Sequence, residues 1–360
     1  MSNVRHPETA MSKLSRRDQV AWFTASRARY EALAKVVAAT LEALVRHNGI
    51  DGAQVFYRAK EIASFSEKIR RKRYSDARSE MTDLSGIRVV TLIERDVGKV
   101  ADIVRAAFAV HSDESPDKSA ELGVDRFGYK SLHFVCDLGG SRTTLPEFAA
   151  FADMAFEIQV RTALQHAWAE IEHDRSYKFA GELPSQLKRR FHLVAGLLEL
   201  ADREFSLLTE ELERYTAEAK HQAQVGILDL ELNSTTASEL LKVLVSKHGG
   251  RPVLDGHPPD QDVIQELRDF NVHSLADLKS LCNDELLQAI ESVPNTTVGV
   301  IRDAMIYADI DRYFATAWKR RWQGWDADSI AVMGKKYGNE AVSRVIRTYG
   351  VMPVDASEEL

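Results

Sequence analysis

The sequence predicts an α/β (α+β) fold followed by an all-helical C-terminal domain. Three observations lead to this prediction. Residues 155–178 have the pattern of a strand that runs directly into a helix, and an apolar, β-branched run from Ile87 to Ile93 is typical of a central strand buried on both faces. After about residue 225 the chain changes to short helical segments, which indicates a separate domain.

The composition limits the classes of protein that the chain can be. Its 360 residues suffice for one large or two ordinary domains, and 44% hydrophobic and 28% charged residues are typical of a globular protein. A net charge of -7 argues against wholesale non-specific nucleic-acid binding but leaves a local basic groove open. Cys136 and Cys282 have no metal-ligand spacing, so we expect two reduced, buried thiols.

Nothing in the sequence points to a membrane. No apolar run approaches the roughly 20 residues that a spanning helix needs, and the polar N-terminus lacks the apolar segment of a signal peptide. We therefore expect a cytoplasmic protein without a membrane partner.

The predicted domain limits follow from these patterns. We expect a disordered tail over 1–14, a first domain over 15–224 and a helical accessory or regulatory domain over 225–360. Ser15 is predicted to cap a long packing helix that stops near Asn48, and a second long amphipathic helix is predicted from Pro184 to about Gln224.

A basic segment follows the first helix. Residues 55–57 suggest a short strand, and a helix is predicted from about 60 to 73 with Ile62, Phe65 and Ile69 on one face. The opposite face carries Lys60, Ser64, Lys68 and Arg71, and Arg58 precedes it at the strand exit. This face is either a solvated surface or a cradle for a polyphosphate, whose charges several Lys and Arg side chains can neutralise.

The central strand is flanked by polar residues. Asp83 comes before it, Gly86 allows a close backbone turn, and Arg88 is a charge within an apolar strand. A buried arginine needs a carboxylate or phosphate partner. Asp96 is predicted to cap the helix that follows.

A polar stretch over 111–125 is predicted to be a loop that leads into another strand. On that strand Tyr129, Ser131 and His133 share one face. Tyr129 follows Gly128 and could stack on a nucleotide base, an interaction worth about 1–3 kcal/mol. The alternative is an ordinary tyrosine at a sheet edge.

The last predicted strand carries the centre of the candidate site. Its apolar residues 156, 158 and 160 alternate with Glu157, Gln159 and Arg161, so the three polar side chains share a face suited to a metal-bound phosphate. In the following helix one predicted apolar face has Leu164, Ala167, Trp168 and Ile171, and the other face has His166, Glu170, His173 and Tyr177.

The C-terminal domain holds one unusual segment. Residues 318–325 interleave three tryptophans with Lys319, Arg320 and Arg321. This composition is typical of an RNA- or partner-binding surface. The alternative is the end of a helix whose long basic side chains reach into solvent.

The order of these motifs resembles the RelA/SpoT-type alarmone synthetase family over roughly residues 15–220. The resemblance rests on Arg58-x-Lys60, Ser64 and Lys68, then Asp83-Leu84-Ser85-Gly86-Ile87-Arg88, then Gly128-Tyr129-Lys130-Ser131-Leu132-His133, and then Glu157-x-Gln159-x-Arg161 with His166 and Trp168. It implies a nucleotidyltransferase-like mixed sheet flanked by helices. It also implies Mg²⁺-dependent transfer of pyrophosphate from ATP to the 3′-hydroxyl of GDP or GTP, which makes (p)ppGpp.

The same resemblance implies roles for individual residues. ATP would be held by Arg58, Lys60, Ser64, Lys68 and Arg88. Asp83 would bind Mg²⁺, and Glu157 would assist the metal or activate the 3′-hydroxyl. The acceptor nucleotide would contact Tyr129, Lys130, His133, Gln159 and Arg161, with Tyr129 stacked on its guanine.

Two departures from the family pattern leave alternatives open. Asp125 stands where many members have a lysine, which leaves the preference for GDP or GTP undecided. The stretch before Arg58 is too short for the hydrolase domain of bifunctional members, and His173-Asp174 lies within the predicted synthetase helix, so we expect synthesis only.

The alternative function is that of a toxic relative, which pyrophosphorylates tRNA 3′ ends or makes (p)ppApp, with the C-terminal domain binding tRNA or a protein ligand. A homo-oligomer also remains open.

Overall fold

The computed structural model describes residues 14–111, 131–178, 184–248, 259–291, 293 and 296–354, with the side chains of 173–178 excepted. The chain forms two compact units, Met1–Leu208 and Thr209–Leu360. This division falls within a long helix, whereas the sequence predicts a boundary at that helix's end, so the predicted domain limits remain predictions. The predicted tail lies outside the described residues, apart from Leu14.

The first unit alternates helices and strands. Its helices are α1 (Arg16–His47), α2 (Ile62–Lys72), α3 (Ala77–Glu80), α4 (Glu94–Ala107), α5 (Gly140–Thr143) and α6 (Ala163–Lys178), and α7 (Ser185–Val225) begins in it. Its strands are β1 (Gln54–Ala59), β2 (Ser85–Thr91), β3 (Ala109–Val110), β4 (Leu132–Asp137) and β5 (Phe156–Thr162).

These strands form one five-stranded sheet in the order β1-β2-β5-β4-β3. β2 and β5 pair in parallel and the other pairs are antiparallel, so the sheet is mixed, as predicted. Helices α1 and α4 contact β2, and their buried side chains join those of β2 and β5 in a single apolar core. The sheet face opposite this core is therefore left to carry the polar side chains of the central strands.

The ends of the helices have local causes. Ser15 caps α1, as predicted, because its Oγ accepts a hydrogen bond from Asp18 N at 3.1 Å. The predicted cap at Asp96 is wrong: α4 begins at Glu94, and Asp96 lies inside its first turn. There its negative charge still favours the helix N-terminus, and it binds Lys99 Nζ at 2.7 Å.

The junction of β5 and α6 is the continuous strand-to-helix transition that the sequence predicts. Phe156, Ile158 and Val160 are fully buried, which confirms the predicted alternation. The predicted apolar face of α6 is wrong in part, because Ile171 is 55% exposed. Gln165 lies on the inner side of α6 instead, where its Oε1 accepts a hydrogen bond from Thr162 N at 2.9 Å.

The second unit is predominantly helical, as predicted, with one short addition. Its helices are α8 (Ser234–Lys247), α9 (Gln261–Asp269), α10 (Leu275–Leu281), α11 (Asp284–Ala289), α12 (Thr297–Ala308), α13 (Ile310–Arg312), α14 (Ala327–Tyr337) and α15 (Asn339–Tyr349). Two strands, β6 (Gly324–Asp326) and β7 (Met352–Val354), form a parallel pair that the sequence did not predict.

The tryptophans of residues 318–325 are core side chains in the second unit and do not form the exposed aromatic surface that the composition suggests. Trp318 and Trp325 are buried, and Trp322 packs against both. A π-helical turn over Tyr313–Ala317 and the left-handed backbone of Lys319 (φ 42°) turn the chain so that the indoles face the core. The side chains of Lys319 and Arg320 are exposed, whereas Arg321 is half-buried with its Nη1 atom 3.4 Å from Asp269 Oδ2.

No helix within the described ranges is long and apolar enough to cross a membrane. The two cysteines, Cys136 and Cys282, are buried free thiols, as predicted.

Truncating the buried face of β5 should destabilise the first unit. Because Ile158 is fully buried, we expect Ile158→Ala to lower the free energy of unfolding by about 2–5 kcal/mol. Urea denaturation followed by circular dichroism measures this. Leu92→Ala is the matched control, since Leu92 is 60% exposed. Equal losses in both variants would contradict the assigned core.

Candidate active site

The register of the sheet aligns polar side chains from four strands on one face. Gly86 of β2 pairs with Arg58 of β1 and with Glu157 of β5. One step along, Arg88 and His133 flank Gln159. Across β1, β2, β5 and β4 the two rows are Arg58–Gly86–Glu157–Val135 and Phe56–Arg88–Gln159–His133. Because side chains alternate across a strand, both rows lie opposite the buried face of Ile158.

Gly86 does not form the predicted turn. Because it has no side chain, it leaves space on this face of the sheet. It lies within β2, and its φ angle is not in the left-handed region. The heavy atoms nearest to a Cβ at this position would be Arg58 Cγ and Nε, at 3.8 and 3.9 Å. The Arg58 side chain therefore passes over Gly86 towards Glu157.

Asp83 lies at the start of β2 between two ammonium groups. Its Oδ2 accepts hydrogen bonds from Lys60 Nζ at 2.5 Å and is 2.9 Å from Lys68 Nζ. Burial alone would raise the pKa of Asp83, but the two lysines outweigh it and hold the pKa below its usual value. The other oxygen, Oδ1, is buried and has no hydrogen-bond partner among the described residues.

Glu157 contacts His133, which in turn contacts Ser131. Its Oε1 lies 2.5 Å from His133 Nδ1 and accepts a hydrogen bond from Gln159 Nε2 at 3.3 Å. The Nε2 atom of His133 in turn lies 2.7 Å from Ser131 Oγ. Burial and Asp83 would raise the pKa of Glu157, but His133 lowers it below its usual value. Glu157 is thus a carboxylate with a fixed orientation.

A cationic cluster occupies the far end of the same face. Arg88 is half-buried, and its Nη1 donates a hydrogen bond to Glu170 Oε1 at 2.8 Å, so the expected carboxylate partner is on α6. Arg161 is only 5% exposed and donates to Gln159 Oε1 at 3.4 Å. Burial and the nearby Arg88 lower the pKa of Arg161 to about 10. Burial, Arg161 and Arg88 together also lower the pKa of His166.

The structure brings together most of the predicted site residues that it describes. Arg58, Lys60, Lys68, Asp83, Arg88, His133, Glu157, Gln159 and Arg161 lie on or beside the polar face. Ser64 lies exposed on α2 between Lys60 and Lys68 in sequence. Tyr129 and Lys130 lie outside the described residues, as do Asp125 and the side chains of His173 and Tyr177. Their predicted roles remain predictions.

Two neighbours of the predicted residues belong to the same network. The sequence places Ser131 on the strand face of His133 but predicts no role for it. It also places Glu170 on the polar stripe of α6, without a signal that joins it to Arg88. The contact of Ser131 with His133 joins residues i and i+2 of one strand segment, so their shared face could have suggested it. The contact of Arg88 with Glu170 joins β2 to α6, residues far apart in the chain, and no local spacing could have suggested it.

The oxygen atoms of Asp83 and Glu157 fit Mg²⁺ better than they fit a metal ion whose ligands all come from protein side chains. In the described part of the chain no group of three or more His, Cys, Asp and Glu side chains could hold a metal ion. Mg²⁺ in phosphate-transfer sites commonly takes one or two carboxylates, with waters and substrate phosphates as the other ligands. Asp83 and Glu157 supply two carboxylates, and Asp83 Oδ1 is available.

The sequence of the first unit is similar to that of known proteins. Residues 57–182 match the family described as a region found in RelA / SpoT proteins. This chain thus contains a RelA/SpoT-type region.

Two relatives are both from Bacillus subtilis (strain 168). The chain is 29% identical over 161 residues to GTP pyrophosphokinase YjbM, which covers 44% of this chain and 73% of that protein. It is 25% identical over 173 residues to GTP pyrophosphokinase YwaC, covering 46% and 77%. The solved small alarmone synthetase 1 from Bacillus subtilis is 25% identical, with a TM-score of 0.45 and coverage of 54% and 98%.

The ion pairs of Asp83 should make stability depend on pH. Its pKa in the folded protein is below the ordinary value of about 3.9, so its contribution is present above that pH and is lost as the pH falls through the lowered pKa. We expect Asp83→Asn to be about 1–3 kcal/mol less stable than the wild type at pH 7. This difference should shrink below about pH 4.

Urea unfolding at several pH values measures the difference. Asp102→Asn is the control, because Asp102 also pairs with a basic side chain, Arg105, but is 81% exposed. That variant should stay within about 0.5 kcal/mol of the wild type. An unchanged deficit of Asp83→Asn down to pH 3 would contradict the assignment.

Proposed function

We propose that this chain is a pyrophosphokinase that transfers pyrophosphate from ATP to the 3′-hydroxyl of GDP or GTP and so makes (p)ppGpp. The observation that carries the proposal is the pair of carboxylates, Asp83 just before β2 and Glu157 on the adjacent β5, which lie near each other and beside cationic groups. The names of the two GTP pyrophosphokinase relatives support the same reaction.

The donor ATP would bind on the side of β1 and α2. Lys60 and Lys68 are held near Asp83 and can exchange part of that contact for phosphate oxygens of the nucleotide. Arg58 and Ser64 are exposed beside them and can reach the same phosphates or the base. Arg88, now bound to Glu170, completes the set and provides a planar surface for the base.

The residues present would hold Mg²⁺ between the two substrates. Asp83 would bind it through the oxygen that has no partner in the described part of the chain, and Glu157 would contribute a second oxygen. When bound, the ion would neutralise charge that develops on the transferred phosphates.

The acceptor nucleotide would lie over β4 and β5. Glu157, a carboxylate at neutral pH, can accept the proton of the 3′-hydroxyl, and His133 and Ser131 keep its oxygen in place. Gln159 and Arg161 would contact the acceptor farther along the face, and Tyr129 and Lys130 are proposed to bind its base and phosphates. Catalysis would then consist mainly of positioning and charge stabilisation.

The alternative acceptors, an adenine nucleotide or a tRNA 3′ end, are less favoured because the tryptophans of residues 318–325 do not form an exposed surface. Trp318 and Trp325 are buried, and of the basic side chains only those of Lys319 and Arg320 stay exposed. A regulatory role of residues 225–360, a cytoplasmic location and the absence of hydrolase activity remain part of the proposal.

An acceptor assay decides among these functions. The purified protein is incubated with Mg²⁺ and ATP labelled at the β-phosphate, together with GDP, GTP, ATP or deacylated tRNA in separate reactions. We expect label to appear on GDP or GTP and to require the metal. Label on tRNA alone, or on adenine nucleotides alone, would overturn the proposed acceptor.

Removing the charge of Glu157 should stop the chemistry without unfolding the protein. Because Glu157→Gln keeps the size but not the basicity of the side chain, we expect kcat to fall about 10²- to 10⁴-fold at a similar melting temperature. Glu147→Gln is the matched control, since Glu147 is exposed and lies outside the polar face. Full activity in Glu157→Gln would contradict the assignment of Glu157 to the active site.

A further inference from the structure

A large apolar ring lies on the polar face of the sheet. Phe56 of β1 stands in the row Phe56–Arg88–Gln159–His133, beside charged and polar side chains, and is 45% exposed. The charges around it suit phosphates, whereas a phenyl ring does not. An exposed aromatic ring is instead stabilised when a flat, partly apolar group covers it and removes its surface from water.

Exposed aromatic side chains are ordinary on an edge strand, so the surroundings of the ring decide. β1 is an edge strand, and its next residue, Tyr57, is 46% exposed. Tyr57 lies on the opposite face, where its pairing partner is the buried Ile87. The pairing partner of Phe56 is Arg88, and its ring centroid lies 6.1 Å from that of His166 on α6. Of these two aromatic residues, Phe56 alone therefore faces the candidate site.

The groups beside the ring suit a planar polar ligand. Burial, Arg161 and Arg88 lower the pKa of His166, so its imidazole is neutral at neutral pH. The guanidinium of Arg88 is fixed by its hydrogen bond to Glu170 and lies 3.5 Å from His166 Nδ1. A phenyl ring with a planar guanidinium and a neutral imidazole next to it offers an apolar face for a base and polar atoms for the edge of that base.

The ring also lies at a suitable distance from the lysines that are proposed to bind phosphate. Along β1, Phe56 is followed on the same face by Arg58 and, after the strand ends, by Lys60, whose Nζ contacts Asp83. At about 3.4 Å per residue, the backbones of Phe56 and Lys60 are roughly 14 Å apart. An extended nucleoside triphosphate has a comparable length. A nucleotide whose phosphates bind at Lys60 therefore brings its base to Phe56.

We propose that Phe56 is the stacking platform for the base of the donor ATP. The inference rests on the proposed function, which supplies ATP as the donor, and adds to it the residue that contacts the face of the base. Arg88 and His166 contact the edge of the same base, and the phosphates stay with Lys60 and Lys68. Phe56 thus contributes to the affinity for the donor and takes no part in the chemical step.

Binding of ATP and of a probe without a base tests this role. Titration calorimetry on the full-length protein in the presence of Mg²⁺ measures the dissociation constants of ATP and of inorganic tripolyphosphate. We expect Phe56→Ala to raise the dissociation constant of ATP about 5- to 150-fold, because the stacking interaction is lost. The dissociation constant of tripolyphosphate should not change, since this probe has no base to stack.

Tyr57→Ala is the matched control. It removes an aromatic side chain of nearly equal exposure from the same strand but from the opposite face, so both dissociation constants should stay those of the wild type. Phe56→Tyr keeps the ring and should bind ATP like the wild type. If Phe56→Ala does not fold, Phe56→Leu serves in its place, because it keeps the apolar volume and loses the flat face.

Steady-state kinetics separate the donor from the acceptor. An interaction that is equally strong in the bound substrate and in the transition state is lost as a higher KM with an unchanged kcat. We expect this change for ATP in Phe56→Ala, while the KM for GDP stays the same. A higher KM for GDP with an unchanged KM for ATP would assign the ring to the acceptor and overturn the inference.

The binding data distinguish failure of this role from failure of the proposed function. If the wild type makes (p)ppGpp and Phe56→Ala binds ATP as tightly as the wild type, the role of Phe56 is refuted and the proposed function stands. An equal loss of affinity for ATP and for tripolyphosphate would also refute it, because the change would then act on the phosphates. A wild type that binds neither compound would overturn the proposed function and the stacking role together.

Discussion

The parallel pairing of β2 with β5 is the constraint on which the candidate site depends. It places Gly86 beside Glu157 and Arg88 beside Gln159, so the polar face of one strand continues that of the next. It also brings the carboxylate of Asp83, at the start of β2, close enough to influence the pKa of Glu157. A shift by one residue would turn Glu157 and Gln159 into the core, which explains why buried and polar side chains alternate from Phe156 to Val160.

The charged side chains of the site are paired with one another and are partly removed from water. Asp83 is neutralised by Lys60 and Lys68, Glu157 interacts with His133, and Arg88 binds Glu170. Each group thereby keeps its charge despite burial, as the lowered pKa values of both carboxylates indicate. Such prearranged charges suit the binding of anionic nucleotides, because little reorganisation is needed when phosphates arrive.

Much of the fold could be predicted because it is encoded locally. The alternation in β5 and the cap at Ser15 each involve a few neighbouring residues, and the structure has them as predicted. The predictions were wrong where contacts between residues far apart in the chain determine which side chains are buried. Ile171 was placed on the buried face of α6, but Gln165 binds the end of β5 and sets which side of the helix faces inward. The tryptophans near residue 320 are core because a turn in the backbone redirects them.

The sequence by itself determined which residue types are available and which of them share a face of a strand or helix, since period and spacing are properties of short segments. It thereby supplied the polar strand face of β5, the basic helix α2 and the acidic residue before β2. Only the tertiary structure decided that these segments meet, that His133 lies beside Glu157, and that Arg88 pairs with Glu170 on α6. The physical reason is that strand order and helix docking depend on contacts between residues far apart in the chain, and local periodicity carries no information about them.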